Sequence, residues 1–314
     1  MEYAALGASG LVSSVIGLGG GSSSRFGLAR GGTRANALTL IRTAVASGIT
    51  FFDGAGLCGG VDELLAEGLG LSRNDVLLST KIHLGPDPMP LTKVRAIDRA
   101  CSWLARRTGT TCQGPVVRRR VERTLKALRT DRIDLLHLHA VTPRQYGRSA
   151  AEIMPELLKL KEEGKIRAIG ISEGFLSDPA HAMLRAALVE PYADSIMVGY
   201  NLANPSAAEG VFPAAARTGV GVVGMFALRG LFLLHRNSSD PSAAYRKILE
   251  EAGITSLAEL AYRYCRHQPG LDVVLTGTGD LEHLHKNIAA VLSPPLPDSV
   301  LALLRAATLQ GDLA

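Results

Sequence analysis

Aromatic side chains are scarce in this chain, at 5% of 314 residues with a single tryptophan. Nucleic-acid surfaces draw on basic patches interleaved with aromatics, or on a known module. Neither is present, although the net charge is +5. The excess is mostly arginine, and much of it falls in one stretch, Arg106–Arg129. An anionic small molecule such as a dinucleotide phosphate needs only a few such residues. No apolar run reaches the roughly 18 residues that a membrane-spanning helix requires. The opening MEYAALGASG lacks the basic-then-apolar order of a signal peptide. The four cysteines, Cys58, Cys101, Cys112 and Cys265, show neither metal-ligand spacing nor a disulfide frame. What remains is an expectation of a cytoplasmic protein with a small-molecule partner, without metal, nucleic acid or membrane.

What is there is a hydrophobic content of 46%, enough for a large core. Short β-branched runs alternate with longer amphipathic ones, the pattern of a parallel sheet wrapped by helices. The predicted strands are Val15–Leu18, Thr50–Asp53, Val76–Lys81, Asp134–His139, Arg167–Ser172, Ser195–Tyr200, Gly221–Met225 and Val273–Thr276. The predicted helices are Arg34–Ser47, Val61–Gly68, Pro115–Arg129, Ala150–Glu163, Pro179–Val189, Pro213–Thr218, Leu257–Arg266 and His283–Ala290. Thr33 and Asp178 suit helix starts, and Gly48 and Gly164 suit helix ends. Repeated β-then-α units with no composition break predict one α/β domain over residues 1–314, a (β/α)8 TIM barrel. A doubly wound sheet is the alternative. The Gly-containing stretch Tyr3–Ser14 predicts an N-terminal hairpin closing the barrel bottom. Two segments exceed ordinary connections: His83 to Gly114, with a short helix expected around Trp103, and Ala227 to about Thr255. Long βα loops at the carboxyl end of a barrel build substrate sites.

Three strings end predicted strands: FFDGAGLCGG (Phe51–Gly60), LLSTK (Leu77–Lys81) and IDLLHLH (Ile133–His139). Catalytic groups of a barrel enzyme sit at such ends, so Asp53, Lys81 and His139 are candidates. Singly, each has a mundane reading as a helix cap, a solvated cation and a core histidine. Their order and surroundings favour an active site. Strand alternation places His137 on the same face as His139 but deeper. His83 lies near in sequence. The strings resemble the active-site segments of the aldo-keto reductases, whose catalytic set is Asp, Tyr, Lys and His. One member differs: five residues after Asp53, where the family has its Tyr proton donor, stands Cys58. In the family the Lys, held by the Asp, favours ionisation of the phenol, a cation's usual effect on a neighbouring acid. A thiol with an ordinary pKa of about 8.5 can donate a proton, but its sulfur falls short of the place the phenol reaches. Cys58 is then either the acid or a small buried residue that, with Gly54 and Gly56, enlarges a cavity. Tyr146 offers a phenol from another direction.

The resemblance runs from about Leu6 to Leu296. It implies a nicotinamide dinucleotide, NADP(H) ahead of NAD(H), although Gly277 and His283 stand where NADPH-preferring members often carry Lys or Arg. VVLTGTGDLEHLHKN (Val273–Asn287) matches the segment that takes the adenosine phosphates, with Gly277, Thr278, His283 and Asn287 as positions. A strand-to-helix junction suits phosphate, because its amides are unpaired and its dipole positive. GISE (Gly170–Glu173) keeps Ser172 for the carboxamide, with Glu173 in place of Asn. Tyr200 stands where an aromatic stacks on nicotinamide, or is a core residue. Met197 replaces a frequent Gln, and GMFALRG (Gly224–Gly230) matches the pyrophosphate strap through Leu228 and Gly230. Gly17–Ser22 is not a dinucleotide fingerprint, since Ser22 takes the place of its third glycine. The SSSRFG stretch (Ser22–Gly27) is expected to set Arg25 above the barrel mouth, for an anionic or hydroxylated substrate, with Trp103 and Tyr146 as further substrate candidates. RAIGISE, VGYNLANPSA and TGTG resemble a bacterial branch that includes sugar-lactone-forming aldose dehydrogenases. The function implied is nicotinamide-dependent oxidation or reduction of a small carbonyl, imine or conjugated substrate, with atypical proton donation. The alternatives are a non-redox dehydratase, isomerase or cyclase on the same scaffold, and a silent binding subunit.

Overall fold

The computed structural model describes residues 1–21, 24–56, 60–85, 104–105, 107–189, 191–229, 242–254 and 256–309. A short antiparallel pair, β1 (Tyr3–Ala5) and β2 (Val12–Ser14), precedes the barrel. Eight parallel strands then close on themselves in chain order: β3 (Ile16–Gly19), β4 (Phe51–Asp53), β5 (Leu77–His83), β6 (Ile133–Val141), β7 (Ile166–Glu173), β8 (Ser195–Gly199), β9 (Gly221–Met225) and β10 (Val273–Thr276). Outside them lie α1 (Arg34–Ala46), α2 (Val61–Leu69), α3 (Gly114–Leu128), α4 (Pro143–Glu152), α5 (Met154–Glu162), α6 (Ala182–Ala187), α7 (Ala207–Thr218), α8 (Ser242–Ala252), α9 (Leu257–Arg266), α10 (Leu281–Leu292) and α11 (Asp298–Leu309). The fold is the (β/α)8 barrel with an N-terminal hairpin that the sequence predicts.

Alternation along each strand sorts side chains into two cores. Phe51, Leu77, Leu135, Ala168, Met197, Val223 and Val273 point inward and form one buried cluster with Leu6 and Leu11. Their neighbours Phe52, Leu78, Leu136, Ile169, Ile196, Val222 and Val274 point outward under the helices. The hairpin's leucines thus plug the amino end of the barrel. Carboxylates bind the lower strands together from outside. Buried Asp134 accepts from the Leu78 amide at 2.9 Å and pairs with Arg73 at 2.9 Å and Arg167 at 3.0 Å. Asp194 and Asp272 accept from Ile169 and Val222 amides in the same way, each at 2.8 Å. At the carboxyl end, the β6–β7 register shifts between Leu138 and Val141, and Ala140 takes a left-handed φ of 51°. Such a bulge re-aims side chains beside it, and His139 is its neighbour.

Several helices differ from expectation. The predicted Ala150–Glu163 is two helices, because Thr142 and Gln145 form a capping box ahead of Pro143 and the chain restarts around Pro155. Asp178 does cap a helix, but from a distance: its carboxylate accepts from Ala182 and Met183 amides at 2.9 and 2.8 Å, so α6 begins late. The helix assigned from Pro213 begins at Ala207 and carries Pro213 inside it, at the loss of one helical hydrogen bond. Part of the expected loop after β9 is the helix Ser242–Ala252, with Tyr245 and Ile248 buried one turn apart. The terminal helix Asp298–Leu309 was also not anticipated; it packs on α8 through Val300 and Leu304. The helix expected around Trp103 is centred outside the described residues. Among the described residues no helix is long and apolar enough to cross a membrane.

Gly7 joins the hairpin to the barrel. Its φ is +52°, and a Cβ there would lie 2.3 Å from the amide nitrogen of Gly221 at the start of β9. Gly7→Ala is expected to destabilise the protein by about 1–3 kcal/mol from backbone strain alone, and by more through the displaced plug. Denaturant unfolding followed by circular dichroism measures this, with Gly10→Ala as the comparison: at φ +72° it shares the backbone strain, but no atom lies within 4 Å of a Cβ there, so the difference between the two reports the displaced plug.

Candidate active site

The inward positions climb each strand by twos. Above Phe51 on β4 comes Asp53; above Leu77 on β5 come Ser79, Lys81 and His83; above Leu135 on β6 come His137 and His139. Register sets them side by side, with Asp53 opposite Ser79, Lys81 opposite His137 and His83 opposite His139. The closed parallel sheet therefore gathers Asp53, Lys81 and His139 at the carboxyl end of three adjacent strands. The Lys81 ammonium pairs with Asp53 Oδ2 and donates to the Gly54 carbonyl at 2.9 Å. Both side chains are buried at this level, and such charges are costly unless paired and hydrogen-bonded. Gly56, at φ +63°, lies so close that a Cβ would fall 2.0 Å from the Lys81 carbonyl oxygen, which explains a glycine there.

A second layer lies beneath the ion pair. Ser79 Oγ donates to Asp53 Oδ1 at 2.9 Å and stands 3.2 Å from His137 Nδ1. With its proton on Asp53, the hydroxyl accepts from His137, which places that ring's hydrogen on Nδ1. His137 is fully buried, and its Nε2 has no partner among the described residues. Burial, and then the charge of Lys81, hold its pKa well below the ordinary value of 6.5. The ring is neutral and leaves Lys81 as the cation of this layer.

At the mouth, His139 Nδ1 lies 3.1 Å from His83 Nδ1, and the rings meet edge to face at 4.5 Å. The next wall is built from β7 and β8. Ser172 points inward and Glu173 turns away, its carboxylate accepting from the Gly199 amide at 2.7 Å and facing His181 Nδ1 at 2.9 Å. Burial pushes the Glu173 carboxyl up, and His181 opposes that. Phe175 packs near His181 and Phe226, with ring centroids 5.9 and 5.8 Å apart. Phe226, at a φ of 68°, is only half-buried at the top of β9 and carries Arg229 over its ring. Sequence reasoning missed His83, His181 and Phe226. Inward parity with Lys81 was the available signal for His83; the other two had none, since their placement depends on left-handed loop residues.

Two assigned positions need correction. Tyr200 does not line the barrel. One residue past β8 and opposite in parity to Met197, it points outward, stacks on Tyr264 at 5.5 Å and donates to Gln268 Oε1 at 2.8 Å. With 1% of its surface exposed, it has no face to offer a nicotinamide. Tyr146 belongs to α4, where its hydroxyl donates to the Ala187 carbonyl at 3.1 Å and its ring stacks on Tyr192. Its phenol is turned toward α6, not into the mouth. Cys58, Trp103 and Gly230 lie outside the described residues. Leu228 follows β9 and packs between the helix core and the α8–α9 cluster.

The junction of β10 and α10 is braced from three sides. Tyr262 and Asn287 both donate to Thr276 Oγ1, at 2.9 and 2.8 Å. Ser24 Oγ donates to the Thr278 carbonyl at 3.0 Å, and a Cβ on Gly279 would lie 2.1 Å from Gly27 Cα. Arg25 is therefore on a turn clasped against this junction. Asp280 caps α10 by accepting from the His283 amide at 2.8 Å, which holds its carboxyl below the usual range. His283 and Gly277 are exposed, and a Cβ at Gly277 would meet nothing closer than 3.7 Å. Open backbone beside a helix N-terminus, next to the barrel mouth, fits a dinucleotide phosphate.

Comparison with known proteins agrees with this geometry. Residues 15–308 match the model of the aldo/keto reductase family, and the chain belongs to that family, whose members are nicotinamide-dependent oxidoreductases. It is 26% identical over 308 residues to the L-galactose dehydrogenase of Arabidopsis thaliana, covering 93% of this chain and 88% of that protein. The fold also matches the holo form of an aldo-keto reductase from Bacillus halodurans, with a TM-score of 0.75 and 23% identity over 98% of this chain and 96% of that one. A Pseudomonas aeruginosa protein described as an aldo-keto reductase gives a TM-score of 0.66 at 26% identity, over 92% of this chain and 93% of that one.

The buried neutral His137 makes stability depend on pH. Its folded-state pKa is depressed, so its contribution is complete above an unfolded value near 6.5 and is lost as pH falls below it. The unfolded chain then binds a proton that the folded protein refuses, at about 1.4 kcal/mol per pH unit per proton. His137→Gln should remove one proton's worth of that slope between pH 6.5 and 5. Urea midpoints across this range provide the measurement; an unchanged slope would mean that His137 charges normally in the folded state.

Proposed function

We propose that this protein oxidises or reduces a small carbonyl-bearing substrate with a nicotinamide dinucleotide, and that its proton transfer differs from that of a Tyr-bearing family member. The observation that carries the reading is the buried Lys81–Asp53 pair at the carboxyl end of the barrel, beside the open junction at Gly277. The reduced nicotinamide, when bound, supplies the hydride. Gly277, Thr278, His283 and Asn287 would hold or brace the adenosine end, with Arg25 on the adjoining turn; Ser172, Leu228 and Gly230 are the positions for the remainder. NADP(H) is favoured over NAD(H) on family grounds. The capping carboxylate of Asp280 works against an added phosphate, so the preference is expected to be shallow.

Lys81 keeps its anion and its place although the family's phenol is replaced by Cys58. A buried cation opposed by desolvation is expected to have a use, and here that use is to polarise the substrate oxygen. His139, half-buried at the mouth, stands where it can complete a proton transfer. A small side chain at position 58 makes room for a bulkier or more hydroxylated substrate; Gly54 and Gly56 add none, since a Cβ there would meet Asp62, Thr80 and the Lys81 carbonyl. The likeness to an L-galactose dehydrogenase supports an aldose in its cyclic form as the substrate class to try first.

Nucleotide titration by cofactor fluorescence, followed by absorbance assays against aldoses including L-galactose and against simple aldehydes, tests this reading. Binding of neither NADPH nor NADH would sink it. Gly277→Asp, which adds bulk and negative charge, is expected to weaken nucleotide binding at least about tenfold. Lys81→Met should lower turnover by about 10²–10⁴-fold, the range for a lost proton-transfer or polarising group. Cys58→Ala should retain most activity, whereas Cys58→Tyr should raise simple-aldehyde reduction and impair the native substrate. Loss of turnover in Cys58→Ala would make the thiol itself the acid or nucleophile.

A further inference from the structure

We infer that His83 is the proton reservoir of this active site, feeding His139 through the hydrogen bond between their Nδ1 atoms. The inference rests on the function proposed above and deepens it by naming where the proton comes from when the Tyr position is a cysteine.

The geometry has three parts. His83 and His139 are register partners on adjacent strands, both on the inward face and both directly above the Lys81–His137 level. Their Nδ1 atoms are 3.1 Å apart with the rings edge to face. Two imidazole nitrogens can share such a contact only when one carries the hydrogen and the other a lone pair, so a single hydrogen bridges the pair. His83 is exposed whereas His139 is half-buried. One end of the bridge thus reaches water while the other reaches the barrel mouth.

The end of β5 is fixed to keep that arrangement. The Arg120 guanidinium donates to the carbonyl of His83, and to that of Gly85 at 2.8 Å, and Cys112 Sγ lies 4.0 Å from the same His83 carbonyl. Other groups around the pair set its charge. Lys81 with Asp53 lies one level below, His137 is neutral beside Lys81, and Glu173 with His181 lies across β7. Arg120 is the cation on the helix side. Lys81 and Arg120 disfavour a second positive charge, and the Asp53 carboxylate already serves Lys81. A proton arriving from water is therefore most easily held at the exposed ring.

The transfer balances. His83 begins as an imidazolium and donates its Nδ1–H to the lone pair on His139 Nδ1. Once the substrate carbon has been reduced, its oxygen takes the hydrogen from His139 Nε2, and the electrons of that N–H bond remain on Nε2. His139 stays neutral throughout and only exchanges tautomers. His83 ends neutral with its Nδ1 lone pair facing the new Nδ1–H of His139. Once product has left, a water or buffer acid at the mouth protonates His139 Nε2 while the bridging hydrogen returns to His83 Nδ1, and the starting state is restored with one proton taken from solvent. In the oxidative direction every step reverses, and the pair returns one proton to solvent. His139 is the group that meets the substrate; His83 acts through it.

Two measurements test the inference. In protein labelled with ¹⁵N-histidine, His83 and His139 should show one bridging Nδ1 proton and a shared titration, and His83→Gln should change both the midpoint and the tautomer of His139. An identical His139 signal in the variant overturns the inference whatever the substrate proves to be. In turnover assays, His83→Gln and His83→Ala should lower kcat for reduction about 10- to 100-fold above neutral pH with KM little changed. They should also flatten the basic limb of the pH profile, and added imidazole should rescue His83→Ala. Wild-type pH profiles in both variants, or a loss that imidazole leaves untouched, would show that His83 only shapes the strand end. Failure of the wild-type protein to bind nucleotide would instead remove the oxidoreductase reading and this inference with it.

Discussion

An ammonium group held out of water needs an anion and oxygen acceptors, and most of the barrel mouth is arranged to give Lys81 both. Asp53 reaches it because β4 and β5 are neighbours in a parallel sheet and the two residues share the inward face. The Gly54 carbonyl is available because the chain turns at the end of β4, and Gly56 lets that turn come down onto the Lys81 carbonyl. Ser79 then fills the second oxygen of Asp53 and hands its own acceptor site to His137. A neutral His137 is the consequence, since a second buried cation beside Lys81 would have no anion of its own. One ion pair therefore dictates the chemistry of the layer below it and the protonation state of the ring beside it.

The upper rim follows different physics. Hydrogen bonds that would be interchangeable in water become directional where access is restricted. The two histidines at the top of β5 and β6 are close enough to share one proton, whereas Glu173 and His181 are sealed into the wall, the carboxylate taken up by His181 Nδ1 and the Gly199 amide. The contrast is one of burial. The partly exposed pair lies within reach of solvent; the enclosed pair positions a strand and a loop. A mouth with a fixed cation on one side and an exchangeable proton on the other suits an oxygen that becomes negative during the reaction.

Much of the fold was legible because parallel barrels write a simple pattern. All eight barrel strands were assigned from β-branched runs, and their inward residues followed from parity. Asp53, Lys81 and His139 could be read as one cluster because each ends a predicted strand, although β5 and β6 run two residues further, to His83 and Val141. The helices were less legible. Capping by side chains several residues away, as at Asp178, and proline restarts, as at Pro155, move helix ends without altering composition. The strand-to-helix junction at Gly277 was also apparent, from the glycines that separate a β-branched run from a helix start.

Tyr200 and Tyr146 show where such reading stops. Tyr200 follows β8, and whether its ring faces the lumen or the helices turns on a single residue of parity past the strand end. Tyr146 sits on a helix whose rotation about its axis is set by packing against α6 and Tyr192. The partnership of His83 with His139 likewise needs residues 56 positions apart to meet in register. The sequence by itself determined the order of strands, the face each strand residue takes and the chemical identity of the Asp53–Lys81–His139 set. Only the tertiary structure decided which polar atoms pair. Pairing depends on strand register, ring orientation and burial, and those are settled when the whole sheet closes, not within any one segment.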